Sequence, residues 1–172
     1  MKWPLKNISP SIPPAGHVGD FAFRRSFYHH PGIDLYCPIY TIVEAIEDGV
    51  VVHIEHFTGK EANPPSPWWN DTWSVMVEGA SGVIGYCELM YDSRLTEGTL
   101  VKAGDIIGSI IPVLKKDKGN GTTMLHLEHY VSQTKHHVTW VLDTEKPNEL
   151  LNPRQLLENI QNEYLQNSKK HT

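Results

Sequence analysis

The stretch that decides the fold is residues 29–54, which read HHPGIDLYCPIYTIVEAIEDGVVVHI. It opens with two histidines and an aspartate around Pro31-Gly32 and continues with segments rich in Val and Ile. β-Branched residues favour strands, and an acidic segment ending in glycine is typical of a turn. The stretch therefore predicts a short strand, a turn and a second strand at the start of a β domain.

Similar short segments recur along the chain, each bounded by glycine-containing turns. The strand candidates are 41–46, 50–56, 73–78, 82–89, 106–112 and 123–131. No apolar stripe of helical period lies between them, which indicates a mainly β protein with an antiparallel sheet or sandwich. After Leu150 the sequence becomes helix-like to about Tyr164, so we expect a short C-terminal helix.

These segments suggest one domain, since 172 residues suffice for a single sizeable core. We divide the chain into an irregular, Pro- and Gly-rich N-terminal arm (1–26), a β domain (27–157) and a C-terminal helix end with a frayed polar tail (158–172).

His30, Asp34 and His126 are candidate metal ligands. Imidazole and carboxylate are ordinary zinc ligands, and a catalytic zinc needs three protein groups and one open position. Strand pairing would bring the local pair His30 and Asp34 against the distant His126. His29 is an alternative to His30.

The same segments resemble the lysostaphin-type zinc endopeptidases. The family's HxGxD motif and its D-G-x-V hairpin are matched at 30–34 and 48–51, and the likeness continues at 85–89 (GYCEL), 97–108 (EGTLVKAGDIIG) and 125–128 (LHLE). The resemblance implies the family's β fold (the duplicated hybrid motif), with one zinc ion held by His30, Asp34 and His126. It also implies a metallopeptidase, a hydrolase that acts on peptidoglycan or other short peptides.

Two positions depart from the family pattern. Met124 stands where the first histidine of an HxH motif belongs, and Glu88 replaces the histidine of a Tyr-x-His-Leu segment. Methionine cannot donate a hydrogen bond to an oxyanion, so another electrophile would be needed. The candidates are Tyr86, Tyr130, His129 and either Arg24 or Arg25.

Glu88 has two interpretations. As the general base, it would make the protein a metallopeptidase, because a carboxylate beside a zinc-bound water is the usual base of other zinc peptidases. As a fourth zinc ligand, it would close the site. The protein would then be a catalytically inactive zinc-containing module that binds a peptide, a glycan or a protein partner.

Two insertions interrupt the strands, at 57–72 and 115–122. Long loops on a β scaffold often line binding sites. Trp68 and Trp69 in the first loop are candidate substrate-binding residues, although packing against the sheet is an equal alternative. His136 and His137 are expected at the surface.

Composition limits the partners. Hydrophobic residues make up 40% and charged residues 20%, and the formal net charge is −5, which disfavours nucleic acid as the main partner. No segment is apolar enough for a membrane span or a signal peptide, so the sequence as given predicts a cytoplasmic protein, or an exported one if a leader precedes it. Cys37 and Cys87 are expected to be reduced.

Overall fold

The computed structural model describes residues 1–116 and 122–169. Its elements, in chain order, are β1 (Tyr28–His29), β2 (Gly32–Tyr36), β3 (Ile42–Glu44), β4 (Gly49–Thr58), β5 (Thr72–Gly79), β6 (Gly82–Tyr91), β7 (Leu100–Val101), β8 (Ile106–Ile110), β9 (Met124–Tyr130), β10 (Trp140–Val141), β11 (Leu150–Leu151) and α1 (Arg154–Lys169). The predicted mainly β, antiparallel architecture with a C-terminal helix is confirmed.

The main sheet runs in the order β11-β9-β6-β5-β4-β7, and β2 and β8 join it beside β9 and β6. Every pairing is antiparallel. One edge of β6 is shared, because residues 83–87 pair with β9 and residues 89–91 pair with β8. The change of partner falls at residue 88.

Period-2 alternation separates a core face from a polar face. In β2 and β9 the alternate residues Ile33, Leu35, Leu125 and Leu127 are fully buried in the main core. Burying each such side chain contributes about 1.5–3 kcal/mol. The intervening residues, which include Asp34, therefore share the opposite face of the sheet.

Both ends of the chain pack against this core. Trp3 and Leu5 of the N-terminal arm belong to the main cluster, and so does Leu157 of α1. The side chain of Asn152 accepts a hydrogen bond from the Arg154 amide at 2.9 Å, which caps the helix start. The helix continues past Tyr164 to Lys169.

Parts of the predicted loop and of the predicted C-terminal tail are not among the described residues. Residues 117–121, within the predicted loop 115–122, and residues 170–172 of the predicted tail lie outside the described residues. No helix in the described part of the chain is long and apolar enough to cross a membrane. The domain boundaries proposed above stay predictions.

Candidate metal centre

His30, Asp34 and His126 meet on the polar face of the sheet. Asp34 lies directly opposite His126 in the antiparallel register of β2 and β9, and His30 precedes β2 by two residues. His126 Nδ1 is 2.9 Å from Asp34 Oδ1 and 3.0 Å from His30 Nε2, and His30 Nε2 is 3.1 Å from Asp34 Oδ1. Three potential ligand atoms thus converge on one point, with all three side chains buried.

Hydrogen bonds on the far side of each ring favour one tautomer. His30 Nδ1 lies 2.8 Å from the carbonyl oxygen of Asp20, which can only accept a hydrogen bond. His126 Nε2 lies 3.0 Å from a carboxylate oxygen of Glu128. When both outer nitrogens donate, the inner nitrogens His30 Nε2 and His126 Nδ1 keep their lone pairs. Metal-bound histidines usually have this arrangement, so the residues fit a zinc ion.

The pKa values describe the same convergence without a cation. Burial would raise the pKa of Asp34, but hydrogen bonds with His126 and His30 outweigh it and hold that pKa far below its usual value. Burial would lower the pKa of His126, yet hydrogen bonds with Asp34 and Glu128 raise it to about 10. Burial lowers the pKa of His30.

Glu88 lies where β6 changes partners. The pairing of β5 with β6 skips Glu88, because Trp73 faces Leu89 and Ser74 faces Cys87. Its φ of 67° lies in the left-handed region of backbone conformation. A bulge of this kind redirects a side chain out of the regular alternation, which is common beside active sites. Burial raises the pKa of Glu88 to about 7.

A groove with a volume of about 1200 Å³ contains His30, Asp34 and His126, the candidate metal triad. Glu88, Met124 and Arg25 all line it. Glu88 is not part of the metal-ligand groups found among residues 1–116 and 122–169, in which all ligand atoms lie within 4.8 Å of one another. The general-base and fourth-ligand interpretations of Glu88 both stay predictions.

The two tryptophans predicted to bind substrate differ in position. Trp69 lines the groove, and its backbone forms an isolated bridge with Leu114. Trp68 is 64% exposed and is not among the groove-lining residues of the described chain. The two rings contact each other edge to face, with centroids 6.1 Å apart. The structure therefore brings only Trp69 to the metal groove.

Among the candidate electrophiles, only Arg25 lies in the groove. Tyr86 accepts a hydrogen bond from the Ile46 amide in the core, and Tyr130 donates one to Glu128. His129 contacts the Ser81 carbonyl, and Arg24 pairs with Asp143 at the surface. Arg25 Nη2 donates to Asp34 Oδ2 at 3.1 Å. Its guanidinium is thus held beside the metal ligands.

Two polar residues behind the triad had not been assigned a role. Glu128 is 2% exposed and links His126 to Tyr130 and His137. The expectation that His137 lies at the surface is wrong, because its side chain is only 16% exposed and lines the groove. Its neighbour His136 is exposed, as expected. Glu128 follows His126 by one alternation of β9, a spacing that places both on one face and was visible in the sequence.

Comparison with known proteins shows the family of this chain. The family model of peptidase family M23 matches residues 28–139, well over half of the chain, and the chain therefore belongs to that family. The predicted lysostaphin-type resemblance is confirmed at this level. No curated protein matched the chain in the sequence comparison.

Two solved structures share the fold, and a third is similar to this chain over most of its length. LytU matches with a TM-score of 0.52 and 18% identity over 92% of this chain and 91% of its own. The structure of cbpa from L. salivarius REN matches with a TM-score of 0.50 and 20% identity, over 88% of this chain and 84% of its own. Csd3 from Helicobacter pylori matches with a TM-score of 0.48 and 17% identity, over 98% of this chain, which spans only 41% of Csd3.

Proposed function

We propose that the protein is a zinc-dependent peptidase that hydrolyses short peptides rich in small residues, such as the cross-links of peptidoglycan. The observation that carries the proposal is the convergence of His30 Nε2, Asp34 Oδ1 and His126 Nδ1 within about 3 Å of one another, in a groove that also contains Glu88. Membership of a peptidase family supports the reaction class.

Zinc is the cation that best fits these donors. Two imidazoles and one carboxylate form a mixed nitrogen and oxygen set, whereas magnesium and calcium prefer sites made of oxygen alone. When bound, zinc supplies a Lewis acid that polarises a carbonyl group and lowers the pKa of water. Asp20 and Glu128 orient the two imidazoles through their outer nitrogens.

Glu88 is assigned the proton transfers. Its carboxylate takes a proton from the attacking water and delivers it to the nitrogen of the leaving amine as the peptide C–N bond breaks. A general base works best when its pKa lies near the working pH, and burial raises the pKa of Glu88 to about 7. The left-handed bulge directs this side chain into the groove.

Arg25 and Trp69 are assigned supporting roles. Arg25 carries a fixed positive charge in contact with Asp34, so it can stabilise negative charge on the substrate carbonyl, which Met124 cannot do. Trp69 offers a flat apolar wall to the peptide.

One observation favours a second candidate function. Met124 lies in the groove as an uncharged, non-donating side chain, at the position where the family pattern has a histidine. A zinc-containing module that binds peptide, glycan or a protein partner without cleaving it would tolerate that side chain.

The deciding experiment compares wild type with Glu88→Gln on purified peptidoglycan and on glycine- and alanine-containing peptides. We expect turnover by wild type, and a loss of about a hundredfold or more in Glu88→Gln with zinc content unchanged. Glu61→Gln, at an exposed surface carboxylate, is the matched control. Peptide binding by zinc-loaded wild type without turnover would instead establish the binding module, as would turnover appearing only in the Glu88→His/Met124→His double variant.

A further inference from the structure

A second cluster of side chains with potential metal-ligand atoms lies next to the triad on the same face of the sheet. Cys87 is opposite His126 in the register of β6 and β9, and Glu128 is opposite Gly85. His137, from the segment that follows β9, contacts Glu128 through its Nδ1 atom. One ligand atom each from Cys87, Glu128 and His137 lies within 4.8 Å of the others.

The surroundings of His137 repeat the arrangement found at the triad. Ser74 Oγ lies 2.8 Å from His137 Nε2 and can accept a hydrogen bond from Nε2–H, which leaves the lone pair of Nδ1 available for a cation. Phe57 packs edge to face against the ring, with centroids 5.0 Å apart. The ring is thus fixed in position with Nδ1 turned toward the carboxylate.

Gly85 makes room for this cluster. A Cβ atom at position 85 would lie 3.3 Å from His137 Cε1, so the imidazole would have to shift by a few tenths of an ångström, and it would be in ordinary contact with Glu128 Cβ at 3.5 Å. Glu128 and His137 line the groove, which gives an ion a path from solvent, while Cys87 closes the cluster from the buried side.

We propose that Cys87, Glu128 and His137 form a second zinc site, joined to the triad through the carboxylate of Glu128. Thiolate sulfur, imidazole nitrogen and carboxylate oxygen are the three ordinary zinc donors, and one thiolate with one carboxylate balances the charge of the ion. Binding forms bonds from zinc to Cys87 Sγ, Glu128 Oε2 and His137 Nδ1. The thiol proton and the proton between Glu128 and His137 leave to solvent.

The second ion would fix the orientation of the first site. Glu128 Oε1 accepts the hydrogen bond of His126 Nε2 at 3.0 Å, so an ion on Oε2 would hold the carboxylate that orients this ligand. The alternative is that a proton shared by Glu128 and His137 does the same without metal. Tyr130 donates to Glu128 Oε2 at 2.6 Å and completes either arrangement.

Cobalt titration of the metal-free protein separates these alternatives. The triad contains no sulfur, so only the second site gives the near-ultraviolet absorption of a cobalt–thiolate bond. We expect that band and about two equivalents of bound cobalt in wild type, and no band with about one equivalent in Cys87→Ser. Cys37→Ser, at the other free cysteine, is the matched control and should keep both.

Further variants protect the test against misfolding. His137→Gln retains the thiol and should weaken the band, whereas His126→Ala should keep the band and lose the other equivalent. Saturation of wild type without a thiolate band, or a band that persists in Cys87→Ser, would overturn the second site. The cobalt–thiolate band does not depend on peptidase activity. A band without turnover supports the second site and removes the proposed peptidase function. Turnover without a band supports the peptidase function and removes the second site.

Discussion

Replacing Glu88 with glutamine should change how the stability of the metal-free protein depends on pH. Burial raises the pKa of this carboxyl from 4.5 to about 7. A difference of that size corresponds to about 3 kcal/mol between the two protonation states. Because the side chain faces a solvent-filled groove, screening reduces the effect, and we expect about 1–3 kcal/mol.

The sign follows from proton binding in the two states. Between pH 4.5 and about 7, folded Glu88 holds a proton that unfolded Glu88 has already lost, so the free energy of unfolding falls as pH rises through this window. Below the window both states are protonated and the effect is absent. Above the window Glu88 is ionised in both states, and the difference in stability stays at its largest value. Glutamine never ionises, so the advantage of Glu88→Gln over wild type should grow with pH.

Urea unfolding in the presence of a chelator, from about pH 5 to about pH 8, measures this difference. The chelator matters because a bound cation would lower the pKa of Glu88. Other titrating groups, such as Asp34, are present in both proteins, so their contributions to the pH dependence largely cancel in the comparison. Parallel stability curves for wild type and Glu88→Gln would refute the reasoning, and so would a variant that is less stable than wild type at every pH. Glu61→Gln should run parallel to wild type.

Three further predictions test other parts of the structure. His126→Ala should lose the zinc of the triad in elemental analysis, whereas His136→Ala should retain it. Trp69→Ala should raise KM for a cleaved peptide by about tenfold or more, and Trp68→Ala should leave KM unchanged, because only Trp69 lines the groove. Tyr86→Phe should lower the free energy of unfolding by about 1–3 kcal/mol in denaturant titration, because the buried Ile46 amide loses its acceptor, 2.8 Å away.

The sequence predicted the strands because they depend on regular alternation, and the resemblance to the lysostaphin-type family implied the triad. β-Branched segments indicated the strands, and antiparallel pairing places Asp34 opposite His126 on one face. The convergence of the ligand atoms follows from this register, since His30 lies just ahead of β2. Their role as zinc ligands stays a prediction.

Irregular segments limited what the sequence could predict. Trp68 and Trp69 are neighbours in a loop, where no periodicity says which side chain faces the groove. His137 follows the last long strand without a motif, and its position depends on the space above Gly85 and on contact with Glu128, both tertiary features. Trp3 joins the main core from a Pro-rich arm, and this placement too depends on tertiary contacts that the sequence pattern does not show.

The backbone at position 88 bears on the choice between the two proposed functions. A non-glycine residue in the left-handed region costs roughly 1 kcal/mol or more, and a buried carboxyl adds to that cost. Glycine or asparagine would satisfy the same bulge with less strain and no charge. A protein that needed the groove only as a rigid binding surface would gain stability from either residue. A carboxylate at this costly position is explained by the proposed general base and also by a fourth zinc ligand, so the Glu88→Gln comparison of zinc content and turnover decides between the peptidase and the inactive module.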